Sequence, residues 1–135
     1  MYDVAVQNDE YKKLLSDSRD FYKGLGSCHC PVLNSRVTFN SKGFHHLLYD
    51  GEGKARSKNE RIRRLVLLPA AKSIVEGAAC IDNHTMRGDA EYLVLKGLSR
   101  QRVIIVVLRR LYSGRVHFYS IWDDTDIRGI KKPPK

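Results

Sequence analysis

Six consecutive apolar residues, Val103 to Leu108 in the stretch RVIIVVLRRL, constrain the fold more than any other part of the chain. The run is far shorter than the roughly 20 residues a helix needs to cross a bilayer. Five of the six are β-branched, and none is polar, so the segment reads as a central strand covered on both faces. Residues 79–81, 90–96 and 116–122 share its strand-like composition, and Ser113-Gly114 suits a tight hairpin turn. The first half of the chain has a different period. Asn8 or Asp9 can cap a helix to about residue 22, with Tyr11, Leu14, Leu15 and Ser18 on one side, stopped by Gly24 and Gly26. Residues 27–36 contain Pro31 and read as a loop or an extended edge, followed by a short strand over 37–40. Ser41 then caps a helix in which Phe44, Leu47 and Leu48 face inward, His45 lies on the opposite flank and His46 near the boundary. After the break at Gly51-Glu52-Gly53, Ser57 or Asn59 opens a helix with Ile62, Leu65, Val66 and Pro69 on its apolar side. Pro69 kinks it, and residues 70–76 add another turn or two. Helices first and an antiparallel meander afterwards predict an α+β fold.

A chain of 135 residues, 42% hydrophobic, is expected to form one domain with a core of its own. Its parts are an N-terminal helix and loop (1–30), a core (35–122) and a polar tail (123–135). The opening MYDVAVQNDEYKK has acids where a signal peptide carries a basic and then an apolar stretch, so a soluble, cytoplasmic protein is expected, with no membrane contact. Three cysteines are an odd number for a disulfide framework. Cys28-His29-Cys30 lacks the Cys-x-x-Cys spacing of a zinc knuckle, and reduced thiols without a metal are the expectation.

The net charge of +9 is uneven: −1 over residues 1–30, then +5 over 31–81 and +5 over 82–135. A basic face that begins where the histidines begin favours a polyanion, above all nucleic acid. The segment VTFNSKGFHHLLYDGEGKARSKNERIRRLVLLP concentrates the relevant chemistry. RNA can be cleaved by its own 2′-hydroxyl if a base takes the proton, cations hold the charge on phosphorus, and an acid serves the leaving oxygen. His46 suits base or acid. Arg61 and Arg64, one turn apart, can converge on a phosphate. In the last strand, strict alternation sends Val116, Phe118, Ser120 and Trp122 one way and His117, Tyr119 and Ile121 the other. His117 and Ser120 join the catalytic candidates, Trp122 the core. Lys54, Arg56, Lys58, Arg109, Tyr119 and His45 are the expected RNA-binding side chains. Acid pairs, phosphate-cradling glycine motifs and metal clusters are missing from the pattern, so no cofactor is expected.

These residues also resemble a known family. VTFNSKGFHHLLYDGEGKARSKNERIRRLVLLP, followed by RVIIVVLRRL and HFYSIW, is similar to the phage- and mobile-element-associated barnase/EndoU/colicin/RelE-like small nucleases. The resemblance covers about residues 35–122. It matches the family's Phe-x-His-Leu to Phe44, His46 and Leu47, its Arg-bearing helix ending Leu-Leu-Pro to Arg61 or Arg64 through Leu67, Leu68 and Pro69, and its polar last-strand position to Ser120. It implies N-terminal helices on one face of a four-stranded antiparallel sheet. It also implies a metal-independent endoribonuclease, a toxin or defence effector cutting tRNA or mRNA and held by an antitoxin or immunity protein. His46 would be the acid/base, an arginine would hold the phosphate, and Ser120 would position phosphate or base. The doubled histidine leaves His45 and His46 both open for the acid/base role. Two other readings remain: a noncatalytic RNA-binding module in which Tyr119 or Tyr92 stacks on bases, and a protein-interaction domain gripping an acidic partner.

Overall fold

The computed structural model describes residues 4–112 and 114–124, with side chains from residue 8 onward. The elements run α1 (Val4–Lys23), β1 (Ser27–Cys30), β2 (Ser35–Thr38), α2 (Ser41–Leu48), α3 (Lys58–Leu67), a 3-10 turn (Leu68–Ala70), α4 (Ala71–Gly77), β3 (Asn83–Arg87), β4 (Ala90–Ser99), β5 (Arg102–Leu111) and β6 (Val116–Asp124). The α+β class is as expected, and β3 to β6 follow the helices as read, but β1 and β2 come between α1 and α2, so the order is not helices first throughout. The sheet is not four-stranded: it has six strands in the order β1-β2-β6-β5-β4-β3. Nor is it wholly antiparallel, because β2 runs parallel to β6, pairing Val37 with Val116 and Thr38 with His117.

The two additional strands come from sequence that lacks an apolar run. Residues 27–38 form the β1–β2 hairpin, turning through Asn34 at φ 51, and the short strand expected over 37–40 is the end of β2. Cys28 and Cys30 point into the core and His29 out of it, a period of two hidden in a polar-looking loop. At the other edge, residues 79–81 are not a strand. β3 is instead the polar, wholly exposed Asn83–Arg87, held by its ladder to β4 rather than by burial. β5 lies between β4 and β6, and residues 104–108 are all buried, as the unbroken apolar run requires.

The core joins Leu93, Leu95, Ile104, Val106, Leu108, Phe118 and Ile121 from the sheet to Leu47, Leu65, Leu68, Ile74 and Val75 from the helices. The α1 stripe is as read, with Ser18 and Tyr22 buried, but the helix starts at Val4. Asn8 does not cap it, because its side-chain oxygen accepts from the Lys58 ammonium. The α2 cap is Asn40 rather than Ser41: its side chain accepts from the Gly43 amide. Ser57 caps α3, accepting from the Glu60 amide. Pro69 breaks α3 into the 3-10 turn, as expected, yet the inward face of α3 is rotated. Val66 and Pro69 are exposed, while Arg64 is buried beside Leu65 and Leu68.

Two close features place α2 over the last strand. A Cβ at Gly43 would lie 2.6 Å from both the Phe118 carbonyl oxygen and the Tyr22 hydroxyl, so only glycine lets the helix lie this near β6. The Gly43→Ala variant should therefore lose about 1–3 kcal/mol through overpacking against a backbone that cannot yield. Urea unfolding checks this, and an unchanged midpoint would show that α2 does not depend on this approach. The second feature is a β-bulge. Leu108 pairs with Phe118 and Val107 with Ser120, leaving Tyr119 as an extra residue in β6.

Candidate functional site

The bulge corrects the strict alternation expected for the last strand. Phe118 and Ile121 both enter the core, so Ser120 shares its face with His117 and Trp122, paired with Val107, Arg109 and Ile105. Tyr119 is released toward His46, Tyr92 and Arg109. Trp122 is not core: it is half-buried, under the Arg64 guanidinium at 5.4 Å.

His46 is the centre of this cluster. Its ring lies 4.0 Å, centroid to centroid, from Tyr119, which meets Tyr92 edge-on at 5.3 Å. Arg56 donates from Nε to the His46 carbonyl at 3.0 Å and approaches Nδ1 at 3.5 Å. The loop holding Arg56 is set by Asp50, whose carboxylate accepts from the Glu52 and Lys54 amides, and by Gly53 at φ 85. Arg109 lies over Tyr119 at 4.9 Å and donates to His117 Nε2 at 3.3 Å. Arg64 reaches β6 from α3. It donates to Ser120 Oγ at 2.6 Å and the Ile121 carbonyl at 3.3 Å, while its Nε pairs with Glu60 at 2.8 Å.

Three guanidiniums around one half-buried imidazole have a definite electrostatic effect. Burial, then Arg56, Arg64, Arg109 and His45, lower the His46 pKa to about 4. Burial, Arg109 and Lys42 lower that of His117 to about 4 as well. Both rings are therefore neutral at neutral pH. Burial and the neighbouring Tyr92 push the Tyr119 phenol up, keeping it protonated. His46 Nε2 is buried and has no hydrogen-bond partner among the described residues.

The depressed histidines make stability depend on pH. In the unfolded chain they take up protons below about 6.5, whereas in the folded protein they do so only near 4, so the unfolded state binds more protons between those values. Stability should fall as pH drops from 6.5 toward 4. Asp50 and Glu91, both held below their ordinary values, lose their contribution only at lower pH. Urea midpoints at pH 7 and pH 5 test this: the lower one is expected at pH 5, with the difference reduced in a His46→Gln/His117→Gln protein.

An open cleft of about 560 Å³ lies beside the cluster, lined by Lys42, His45, His46, Asp50, Arg109 and Tyr119 among others. His45 is exposed on its wall and stacked on Tyr49 at 4.4 Å. Of the predicted site residues, the structure brings together His46, Arg56, Arg64, Arg109, His117, Tyr119 and Ser120, with His45 at the rim. It separates the others. Arg61 does not converge with Arg64: it donates to the Leu48 carbonyl and the Tyr11 hydroxyl and stacks on Tyr49. Lys58 turns to Asn8 and the Tyr11 ring, and Lys54 is exposed on the loop. Sequence reasoning missed Lys42 and Glu60, although each stands four residues before a site residue, His46 and Arg64, on the same helix.

Comparison with protein-family models, with curated proteins and with solved structures gives no match for the chain. Among the described residues, no helix is long and apolar enough to cross a membrane. The chain is thus characterised by its mixed fold, a six-stranded sheet with helices packed against it, and by a cationic cleft centred on His46.

Proposed function

We propose that the chain is a small endoribonuclease, related to the barnase/RelE-like nucleases, that cleaves RNA through attack of the 2′-hydroxyl on the adjacent phosphate. The observation that carries this reading is the neutral His46 imidazole held among Arg56, Arg64 and Arg109 beside an open cleft. Neutral imidazole accepts a proton, and the guanidiniums of Arg56 and Arg109, neither of which forms an ion pair among the described residues, attract phosphate, whereas Arg64 is paired with Glu60. The contact of Nδ1 with Arg56 is too long to lock a tautomer, leaving Nε2 free to act as the base. The Tyr119 ring packs beside the imidazole, 4.0 Å between ring centres.

In this scheme His46 takes the 2′-hydroxyl proton and the 2′-oxygen bonds to phosphorus. Arg56 and Arg109 hold the phosphoryl oxygens. The P–O5′ bond breaks, and the leaving oxygen takes the proton of the Tyr119 phenol, giving a 2′,3′-cyclic phosphate and a 5′-hydroxyl. Arg64 and His117 act through others as positioning residues: Arg64 holds Ser120 and the bulged strand, and His117 aims Arg109. A toxin held by an antitoxin, with tRNA or mRNA as target, fits this reading.

Total RNA incubated with the purified protein in EDTA should yield fragments ending in cyclic phosphate. Intact RNA with salt-sensitive binding would replace the reading by a noncatalytic RNA-binding module.

A further inference from the structure

A second cleft, of about 410 Å³, adjoins the first across the start of α2, sharing Ser41 and His45 with it. Its character differs. Phe44 and Tyr49 give it aromatic surface, and Arg19 and Lys23 from α1 stand on its wall. No acidic side chain lines it, whereas Asp50 lines the first. The Arg19 guanidinium lies 5.2 Å from the Phe44 ring centre. Among the described residues neither Arg19 nor Lys23 forms an ion pair, although Lys13 on the same helix pairs with Asp17. His45 stacks on Tyr49 with ring planes 13° apart, forming a flat platform at the junction of the two clefts.

We propose that this second cleft is a nucleotide subsite, which takes an unpaired base of the RNA strand flanking the phosphate held at His46. The inference rests on the RNA reading of the central cleft and deepens it by making the substrate single-stranded. The physical reason is the combination of features at the junction. An aromatic platform offers a stacking partner to any base, unpaired cations offer partners to the flanking phosphates, and the shared wall makes the two clefts one continuous path. A base inside a duplex has both faces covered and cannot enter, so the same cleft discriminates against paired RNA.

Arg19 and Lys23 lie outside the proposed chemistry, which makes them suitable for a test. A fluorescent 2′-O-methyl oligonucleotide of about 12 nucleotides, without secondary structure, is titrated with the full chain and followed by anisotropy at several salt concentrations. The 2′-O-methyl group prevents cleavage. For the Arg19→Ala/Lys23→Ala protein, the slope of log affinity against log salt should become shallower by about 1.4, the value for two lost single-strand phosphate contacts. Binding at low salt should weaken about tenfold, while binding of the matching duplex stays unchanged. Tyr49→Leu should weaken single-strand binding without altering the salt slope, because it removes stacking and not charge. Wild-type affinity and slope in both variants would overturn the subsite and leave the central cleft reading intact. Failure of the wild-type chain to bind any RNA would overturn both.

Discussion

RNA cleavage by the His46→Ala protein is expected to fall about 10²- to 10⁴-fold, the usual contribution of a positioned general base. The fold should survive. The ring is half-buried, and its contacts are the Tyr119 ring at 4.0 Å and a long 3.5 Å approach to Arg56, neither of which holds α2 in place. The α2 core contacts belong to Phe44, Leu47 and Leu48, which the substitution leaves alone. The pH profile sharpens the expectation. With His46 deprotonated above about 4, cleavage should rise from pH 3 to 5 and then level, without the inflection near 6.5 that an ordinary histidine base would produce. Single-turnover rates on a defined oligonucleotide, together with circular dichroism, measure both quantities. Full activity in the alanine variant would remove His46 from the mechanism.

The second large effect is expected at Arg64, and it is mainly one of stability. The side chain is only 11% exposed, its Nε is engaged by Glu60 and its Nη1 by Ser120 and the Ile121 carbonyl, and the guanidinium covers Trp122. Arg64→Ala leaves the Ser120 hydroxyl without this donor, opens a cavity and strands Glu60. Because the Glu60 side chain reaches solvent, the cost should lie at the low end for a broken buried pair, about 3 kcal/mol. Arg64→Lys is not conservative here. An ammonium is a single point and cannot meet Glu60 and Ser120 together, so a substantial part of the loss should remain. The two variants separate charge from packing through His46. Alanine removes one of the cations depressing its pKa, so the imidazole should titrate higher, whereas lysine should leave it nearly unchanged. Urea unfolding and histidine NMR titration read these effects. A His46 titration indifferent to Arg64→Ala would show that the two do not share a site.

Much of the site could be read before the fold was known, because its chemistry is carried by residue type and local period. Phe44, Leu47 and Leu48 at helical spacing orient α2 and so put His46 at its boundary, as observed. Arg61 and Arg64 look equivalent on a helical wheel. They part because Tyr11 and Leu48 draw one toward the helices while Ser120 draws the other to β6, contacts some 13 to 56 residues away in sequence. The edge strands are less legible for a related reason: residues 27–36 read equally as a loop or an extended edge, and residues 83–87 carry no strand signal. β3 takes its stability from its ladder to β4 and needs no apolar signature, whereas β1 adds to its ladder with β2 only two small buried thiols, Cys28 and Cys30.

The α+β class, the buried β5, the kink at Pro69 and the basic, histidine-bearing character of the region around α2 all follow from local hydrophobic period and backbone chemistry. The parallel joining of β2 to β6, the burial of Arg64 and the bulge that turns Tyr119 toward the cleft and Ser120 toward Arg64 come from long-range packing instead. A bulge is a mismatch between two strands, created by how β6 registers on β5, and neither strand contains it alone.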